Sequence, residues 1–222
     1  MSNPSMTEHL ARRAVERSVA GRRAEYEHEM ARIAESTFAL IERTGTLDPS
    51  MRDILAEAGV STQAFYRYFT SKDELMLALL DEGRRRLVSS LRRRMQRSAA
   101  PDDQVRAWVE GVLAQASNAA VAARTRPWVA SEPRLSELFP AEQQASVDLL
   151  VELLDEPIRR LRGLPAPRGG GGKRTDRSAR PAAVLVYRLA FAALGAHLTA
   201  GTRPTATEAE DLVAFCLRGA GR

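Results

Sequence analysis

The amino-acid sequence predicts an all-α protein, and three observations carry that prediction. Apolar residues recur at intervals of three and four through most of the 222 residues. Capping residues, glycines and prolines divide those runs into segments of helix length. Alternating runs bounded by turn signals, the mark of strands, are hard to find, and aromatic residues make up only 5%.

Composition is that of a globular protein, at 44% hydrophobic and 27% charged residues. The formal net charge of +5 is compatible with nucleic acid, but its distribution says more. Residues 101–158 hold Arg106, Arg124, Arg126 and Arg134 against ten acidic residues. A phosphate backbone would be repelled there, which confines nucleic-acid contact to the first part of the chain or to a basic loop. Cys216 is the single cysteine, so an intramolecular disulfide and a Cys-based metal site are both excluded. No apolar run reaches membrane-spanning length and the first residues lack a signal-peptide core, so a cytoplasmic protein with no membrane partner is expected.

In chain order, residues 1–20 carry Arg12, Arg13 and Arg17 with little apolar pattern and are expected as a flexible arm. That arm either reaches phosphates and a minor groove or is solvated charge at a frayed terminus. A helix is expected from about Arg22 to Arg43, with Tyr26, Met30, Ile33, Phe38 and Ile41 inward and Gly45 at its end.

The stretch Ser50–Leu80 organises the chain. Ser50 can cap a short helix in which Met51, Ile54, Leu55 and Ala58 share one face. Gly59 suits the left-handed residue that ends it, and Ser61 can cap a second helix running to Phe69. Helix, Gly turn, helix is the helix-turn-helix pattern, whose second helix enters the major groove. Phe65 and Phe69 can face inward, leaving Thr62, Gln63, Tyr66 and Arg67 outside. Gln can pair with adenine, Arg with guanine, and the Thr methyl can meet a thymine methyl. Tyr66 offers a hydroxyl to a phosphate. Ser71 and Glu74 have capping-box spacing, and Lys72 lies in the first turn of the helix they open, where a cation and free N–H groups could hold a phosphate.

This run, AGVS at 58–61 and FYRYF and SKDEL from Phe65 to Leu75, resembles the DNA-binding signature of the TetR/AcrR family of bacterial transcriptional regulators. Several features hold their spacing at once, over roughly the first third of the chain. Leu55 departs from the pattern, which usually has Ala there. The resemblance implies that Thr62, Gln63 and Arg67 lie at the bases and Tyr66 and Lys72 at the backbone, with Tyr68, Ser50 and Ser61 also at the DNA. It implies a three-helix DNA-binding domain at 21–70 and a helical regulatory and dimerisation domain at 71–222.

From Ser71 a helix can continue to about Arg97 along Leu75, Leu79, Leu87, Leu91 and Met95, with Gly83 inside it. Arg84–Arg86 and Arg92–Arg94 read as a solvated face. Asp103 to about Arg126 reads as one helix, with Val105, Trp108, Val109, Val112 and Leu113 inward and Pro127 stopping it. A short helix from Ser131 to Phe139 and a longer one from Pro140 to about Arg162 follow, the latter with Leu149, Leu150, Leu153 and Leu154 as core face and Pro157 expected to kink it or end its regular part. Residues 163–180, with four successive glycines, two prolines and several arginines, cannot bury a core and are expected as a flexible loop. Pro181–Ala200 is a strongly apolar helix, and Thr207 with Glu210 has capping-box spacing for a last one. Both are apolar on more than one face, so a homodimer through helices 181–200 and 206–219 is expected, as the resemblance also implies.

The family commonly binds a small effector in its C-terminal domain, and Trp108, Trp128, Phe139, Tyr187 and Phe191 are the residues that could line such a pocket. For each taken alone, ordinary core packing is the readier explanation. With few charges among them, an apolar or aromatic effector is expected. His9, His28 and His197 are scattered and no catalytic motif appears, so no enzyme, cofactor or metal is expected. Cys216 lies on an apolar stripe and reads as an inert thiol, and His197 as an interface hydrogen bonder. The function expected is a DNA-binding transcriptional regulator, a repressor, that binds a pseudo-palindromic operator on double-stranded DNA as a dimer and is released by an effector. The alternative is a small-molecule binding protein that acts by sequestration or through a protein partner.

Overall fold

The computed structural model describes residues 6–45, 48–165 and 179–221, with the backbone alone over 6–18 and at Arg22. Among these residues there are nine helices and no strand. They fall into two compact units, Met1–Met76 and Leu77–Arg222.

The first unit contains α1 (Met6–Thr44), α2 (Met51–Ala58), α3 (Thr62–Phe65) and the first turn of α4 (Lys72–Met95). The stretch expected as a separate arm is helical from Met6 onward and continuous with the helix expected from Arg22; the Arg12, Arg13 and Arg17 side chains lie outside the described residues. Ile33, Leu40, Ile41, Ile54, Phe65 and Leu75 form the unit's buried core. Thr37 is buried with them and donates to the Ile33 carbonyl at 2.8 Å, so its hydroxyl is satisfied within its own helix. Tyr26, expected inward, is exposed. Gly45, at φ 67°, ends α1 and donates to the Ile41 carbonyl at 2.8 Å.

The second unit continues α4 and adds α5 (Pro101–Ser117), α6 (Ala119–Leu138), α7 (Pro140–Leu161), α8 (Arg180–Ala200) and α9 (Ala206–Ala220). Helices α5 and α8 are central, each packed against α6, α7, α9 and the other. Trp108 is fully buried in α5 and its indole N–H donates to the Leu150 carbonyl of α7 at 3.2 Å. Gly111 lets α5 approach α4, because a methyl there would overlap the Leu91 side chain. Helix ends are closed by arginines from other elements. Arg126 donates to the Leu198 carbonyl at 2.7 Å, and Arg162 to the Ala220 carbonyl at 2.7 Å.

Several boundaries differ from expectation. The helix expected to run to Arg126 stops at Ser117, because Asn118 is extended and its side chain caps α6 through the N–H groups of Ala120 and Val121. Pro127 and Pro133 then lie inside α6 rather than ending helices, and Pro127 and Trp128 are buried there. Burial offsets the lost N–H, whereas the Asn cap decides where the chain breaks. Leu149 is exposed, not part of the core face formed by Leu150, Val151, Leu154 and Ile158. The last capping box is Thr205 with Glu208, not Thr207 with Glu210. Glu210 instead pairs with Arg106 of α5. Arg84, expected on a solvated face, is buried and bonded to Gln143 and Glu132. Of the loop expected at 163–180, residues 166–178 lie outside the described ones.

Helix α8 is long and apolar enough by composition to cross a membrane, yet Ala183, Val186, Ala190 and Leu194 are buried in the unit's core. Its opposite face leaves Leu185 and Leu189 exposed, as α9 leaves Phe215.

Candidate functional site

The turn between α2 and α3 is built by short-range bonds. Ser50 accepts from the Asp53 N–H at 3.2 Å and opens α2. Gly59, at φ 61°, closes it: the Gly59 N–H reaches the Ala56 carbonyl at 3.3 Å and the Val60 N–H the Leu55 carbonyl at 3.1 Å. This pair of bonds is the Schellman arrangement, and only glycine enters the left-handed region without strain. Two residues on, the Ser61 hydroxyl accepts from the Ala64 N–H at 3.1 Å and opens α3.

The second helix of the motif is shorter than expected. It is regular over Thr62–Phe65, then tightens, with Arg67 N–H to Ala64 carbonyl at 3.2 Å and Tyr68 N–H to Phe65 carbonyl at 2.9 Å. Phe65 and Phe69 are buried with rings 5.5 Å apart, which pins both ends of the segment to the core. Thr62, Gln63, Tyr66 and Arg67 are thereby left on the outer surface, and all four are exposed. Ser61 is exposed beside them, and Tyr68 is half-buried.

Two of the expected contacts are already engaged within the unit. Lys72 is ion-paired with Asp48 and lies 3.4 Å from the Pro49 carbonyl, so a phosphate that reaches it competes with the Asp48 carboxylate for its charge. The Ser50 hydroxyl donates to the Asp53 carboxylate at 2.6 Å, which places a negative charge next to it. Glu74 caps α4 with a shifted partner. Ser71 accepts from the Glu74 N–H at 3.0 Å, but the Glu74 carboxylate takes the hydroxyl and N–H of Thr70, at 2.6 and 2.5 Å, rather than the Ser71 N–H. These bonds from Thr70 hold the Glu74 carboxyl below the usual glutamate range.

Three residues of the surface were missed by sequence reasoning. Tyr26 donates its hydroxyl to the Arg67 carbonyl at 3.1 Å and sets its ring 4.7 Å from that of Tyr68, so α1 holds the tight turn that carries Arg67. Arg32 donates to the Ala58 carbonyl at 2.6 Å and to Glu29 at 2.8 Å, closing the end of α2. Arg52, exposed in the first turn of α2, has no ion pair among the described residues. A long-range bond carries no sequence signal, whereas the exposed Arg52 beside the Ser50 cap was legible.

In the second unit, Trp108, Tyr187 and Phe191 come together, with ring centroids 6.4 Å apart for Trp108 and Phe191 and 4.5 Å for Tyr187 and Phe191. Trp128 is buried within α6 and Phe139 stands half-buried between α6 and α7. A cavity of about 320 Å³ opens between α6, α7 and α8, and of the five expected residues only Tyr187 lines it. Its wall joins Pro140, Val147, Val151 and Val184 to Glu132, Ser136, Gln143, Gln144, Asp148 and Arg188. The wall is therefore more polar than the aromatic lining expected. Burial, and then the charge of Glu132, push the Tyr187 phenol up to about 12, so it stays neutral. Cys216 is buried, and burial raises its thiol to about 11. His197 shares a hydrogen bond with the Thr202 hydroxyl at 2.9 Å within its own helix end.

Residues 33–79 match the family model described as bacterial regulatory proteins, tetR family. No curated protein sequence matches the chain. Among solved structures, the reduced form of NemR from E. coli is 18% identical with a TM-score of 0.60, covering 85% of this chain and 95% of that one. SCO4454, a TetR-family transcriptional regulator from Streptomyces coelicolor, is 19% identical with a TM-score of 0.57 and 86% of each chain covered. RolR, solved in complex with the ligand resorcinol, is 15% identical with a TM-score of 0.58 and 88% of each chain covered. At such identities these structures share the fold with this chain.

Proposed function

We infer that this chain is a DNA-binding transcriptional regulator of the TetR family, the family whose DNA-binding model its residues 33–79 match. One observation carries the reading beyond the family. Phe65 and Phe69 turn inward while Thr62, Gln63, Tyr66 and Arg67 form one exposed polar surface on the second element of a helix-turn-helix. A buried helical hairpin would have no use for that surface. Thr62, Gln63 and Arg67 contact bases, and Tyr66, Lys72, Ser50 and Ser61 contact the backbone, with Tyr68 beside them.

The protein acts as a homodimer. Leu185, Leu189 and Phe215 are 57%, 37% and 56% exposed on α8 and α9, an apolar face that a second copy would cover. Two-fold symmetry then calls for a pseudo-palindromic operator with half-sites a helical turn or more apart. The role is repression, and a small molecule in the C-terminal unit releases the DNA by binding the non-DNA state more tightly. RolR, with its resorcinol ligand, is a precedent for the same fold holding a small molecule.

The test is binding of the purified protein to DNA flanking its own gene, at two salt concentrations and against random competitor. Saturable, competitor-resistant, salt-dependent binding with dimer stoichiometry is expected. Binding that random DNA abolishes would move the weight to a protein that acts by sequestering its ligand.

A further inference from the structure

Behind the wall of the cavity between α6, α7 and α8 lies hydrogen-bonding capacity that the fold does not use. Gln143 is 4% exposed, and its side-chain oxygen accepts from Arg84. A guanidinium only donates, so the amide orientation is fixed and Nε2 must point away from Arg84. That Nε2 is buried and finds no hydrogen-bond partner among the described residues. A buried donor without an acceptor is costly, and native proteins rarely keep one without a use.

The charges around the cavity are unevenly matched. Glu132 faces Arg84 at 3.4 Å. Asp148 is ion-paired with Arg180 and also accepts from Gln144 at 2.9 Å. Arg188, on the cavity wall, is exposed and has no ion pair among the described residues. What is left over is therefore donors, one of them cationic. Glu132 and Asp148 nearby oppose a second negative charge on any ligand. Val147, Val151 and Val184 supply an apolar wall. At about 320 Å³ the cavity is at the small end of the range for ligand sites, roughly 300–1,000 Å³.

We propose that this cavity binds a small monocarboxylate with a short apolar body. Its oxygens accept from the Arg188 guanidinium and, once a rotation of the Gln143 side chain brings the buried Nε2 to the cavity wall, from that nitrogen, and its body lies against Val147, Val151 and Val184. The site gives the effector of the regulator reading a chemical class, and its link to DNA release rests on that reading. The route is short: Gln143 holds Arg84, and Arg84 belongs to α4, whose first residues are part of the DNA-binding unit.

The experiment titrates the full chain with hexanoate and benzoate, and with hexanamide and benzamide as neutral counterparts, by calorimetry and by shift in Tm. At least one acid is expected to bind saturably and about tenfold or more tighter than its amide. Arg188→Gln, at an exposed position, removes that preference by weakening the acid more than the amide. Gln143→Glu keeps a partner for Arg84 and so the fold, but replaces the free donor with a carboxylate and weakens the acid. Equal affinity for acid and amide, variants without effect, or no acid binding below about 10 mM would each overturn the site. Binding to flanking DNA is followed in the same samples. An acid that binds without releasing DNA upholds the site and removes the release mechanism, whereas intact DNA binding with no acid bound removes the site alone.

Discussion

The two units differ in how far their polar side chains reach along the chain. In the first, Ser50, Ser61 and Ser71 each accept from an N–H three residues on, and the longer reaches described above, Tyr26 to Arg67 and Arg32 to Ala58, span 41 and 26 residues. In the second, Arg84 reaches Gln143 across 59 residues, Trp108 reaches Leu150 across 42, Arg126 reaches Leu198 across 72, and Arg106 reaches Glu210 across 104. A bond over three residues is written in the local sequence. A bond over forty is a property of the packed structure, and no spacing rule reports it.

If the second unit is held by such distant contacts, the largest loss comes from cutting one at its core. Trp108→Ala removes a fully buried indole and its bond to Leu150, and it should cost about 3–5 kcal/mol in denaturant unfolding. Gly111→Ala should cost about 1–3 kcal/mol, because the new methyl forces Leu91 aside. An unchanged unfolding midpoint for either would mean that α4, α5 and α7 pack more loosely than their contacts imply. In the first unit the corresponding change is to a cap. Ser61→Ala should cost about 0.5–2 kcal/mol and lower DNA affinity by loosening the segment that carries Gln63. Tyr26→Phe tests a distant bond of that surface, which spans 41 residues. It should cost about 0.5–1.5 kcal/mol, with a matching fall in DNA affinity and no change in helix content by circular dichroism.

The smallest effect is on acid stability, and it compares one helix start in each unit. Hydrogen bonds from Thr70 lower the Glu74 carboxyl and those from Thr205 lower that of Glu208. A lowered folded-state value means stability that is complete above the ordinary glutamate value and is lost as pH falls through the folded one. Glu74→Gln and Glu208→Gln should each flatten the fall in Tm on acidification below that ordinary value, and both effects should be small because the two carboxylates are solvent-screened. A fall in Tm as steep as in the parent protein would show that the carboxylates carry no linked stability.

The same contrast explains what was legible in the sequence. The Ser50 cap, the left-handed Gly59, the Ser61 cap and the inward pair Phe65 and Phe69 stand as read, since each depends on neighbours within a few residues. The all-helical class was equally legible from periodicity. Tyr26 was misread as core because its position on α1 gave no hint of Arg67. Arg84 was misread as solvated because its partners lie on α6 and α7. The capping box expected at Thr207 and Glu210 lies two residues earlier, at Thr205 and Glu208, and Glu210 is engaged by Arg106 across 104 residues. Prolines misled for a related reason. Pro127 reads as a stop, yet burial beside Trp128 holds it inside α6, while the less conspicuous Asn118 breaks the chain.

In the function proposed above, the exposed surface of Thr62, Gln63, Tyr66 and Arg67 reads DNA sequence while Lys72 supplies only affinity. The most direct test is the ratio of affinities for flanking and random DNA, measured for the parent protein, Gln63→Ala and Lys72→Ala at one salt concentration. Gln63→Ala should lower the ratio, by an amount of order 1–3 kcal/mol for a lost bidentate base contact, while Lys72→Ala should weaken both DNAs alike and leave the ratio unchanged. Equal losses on both DNAs from both substitutions would contradict it.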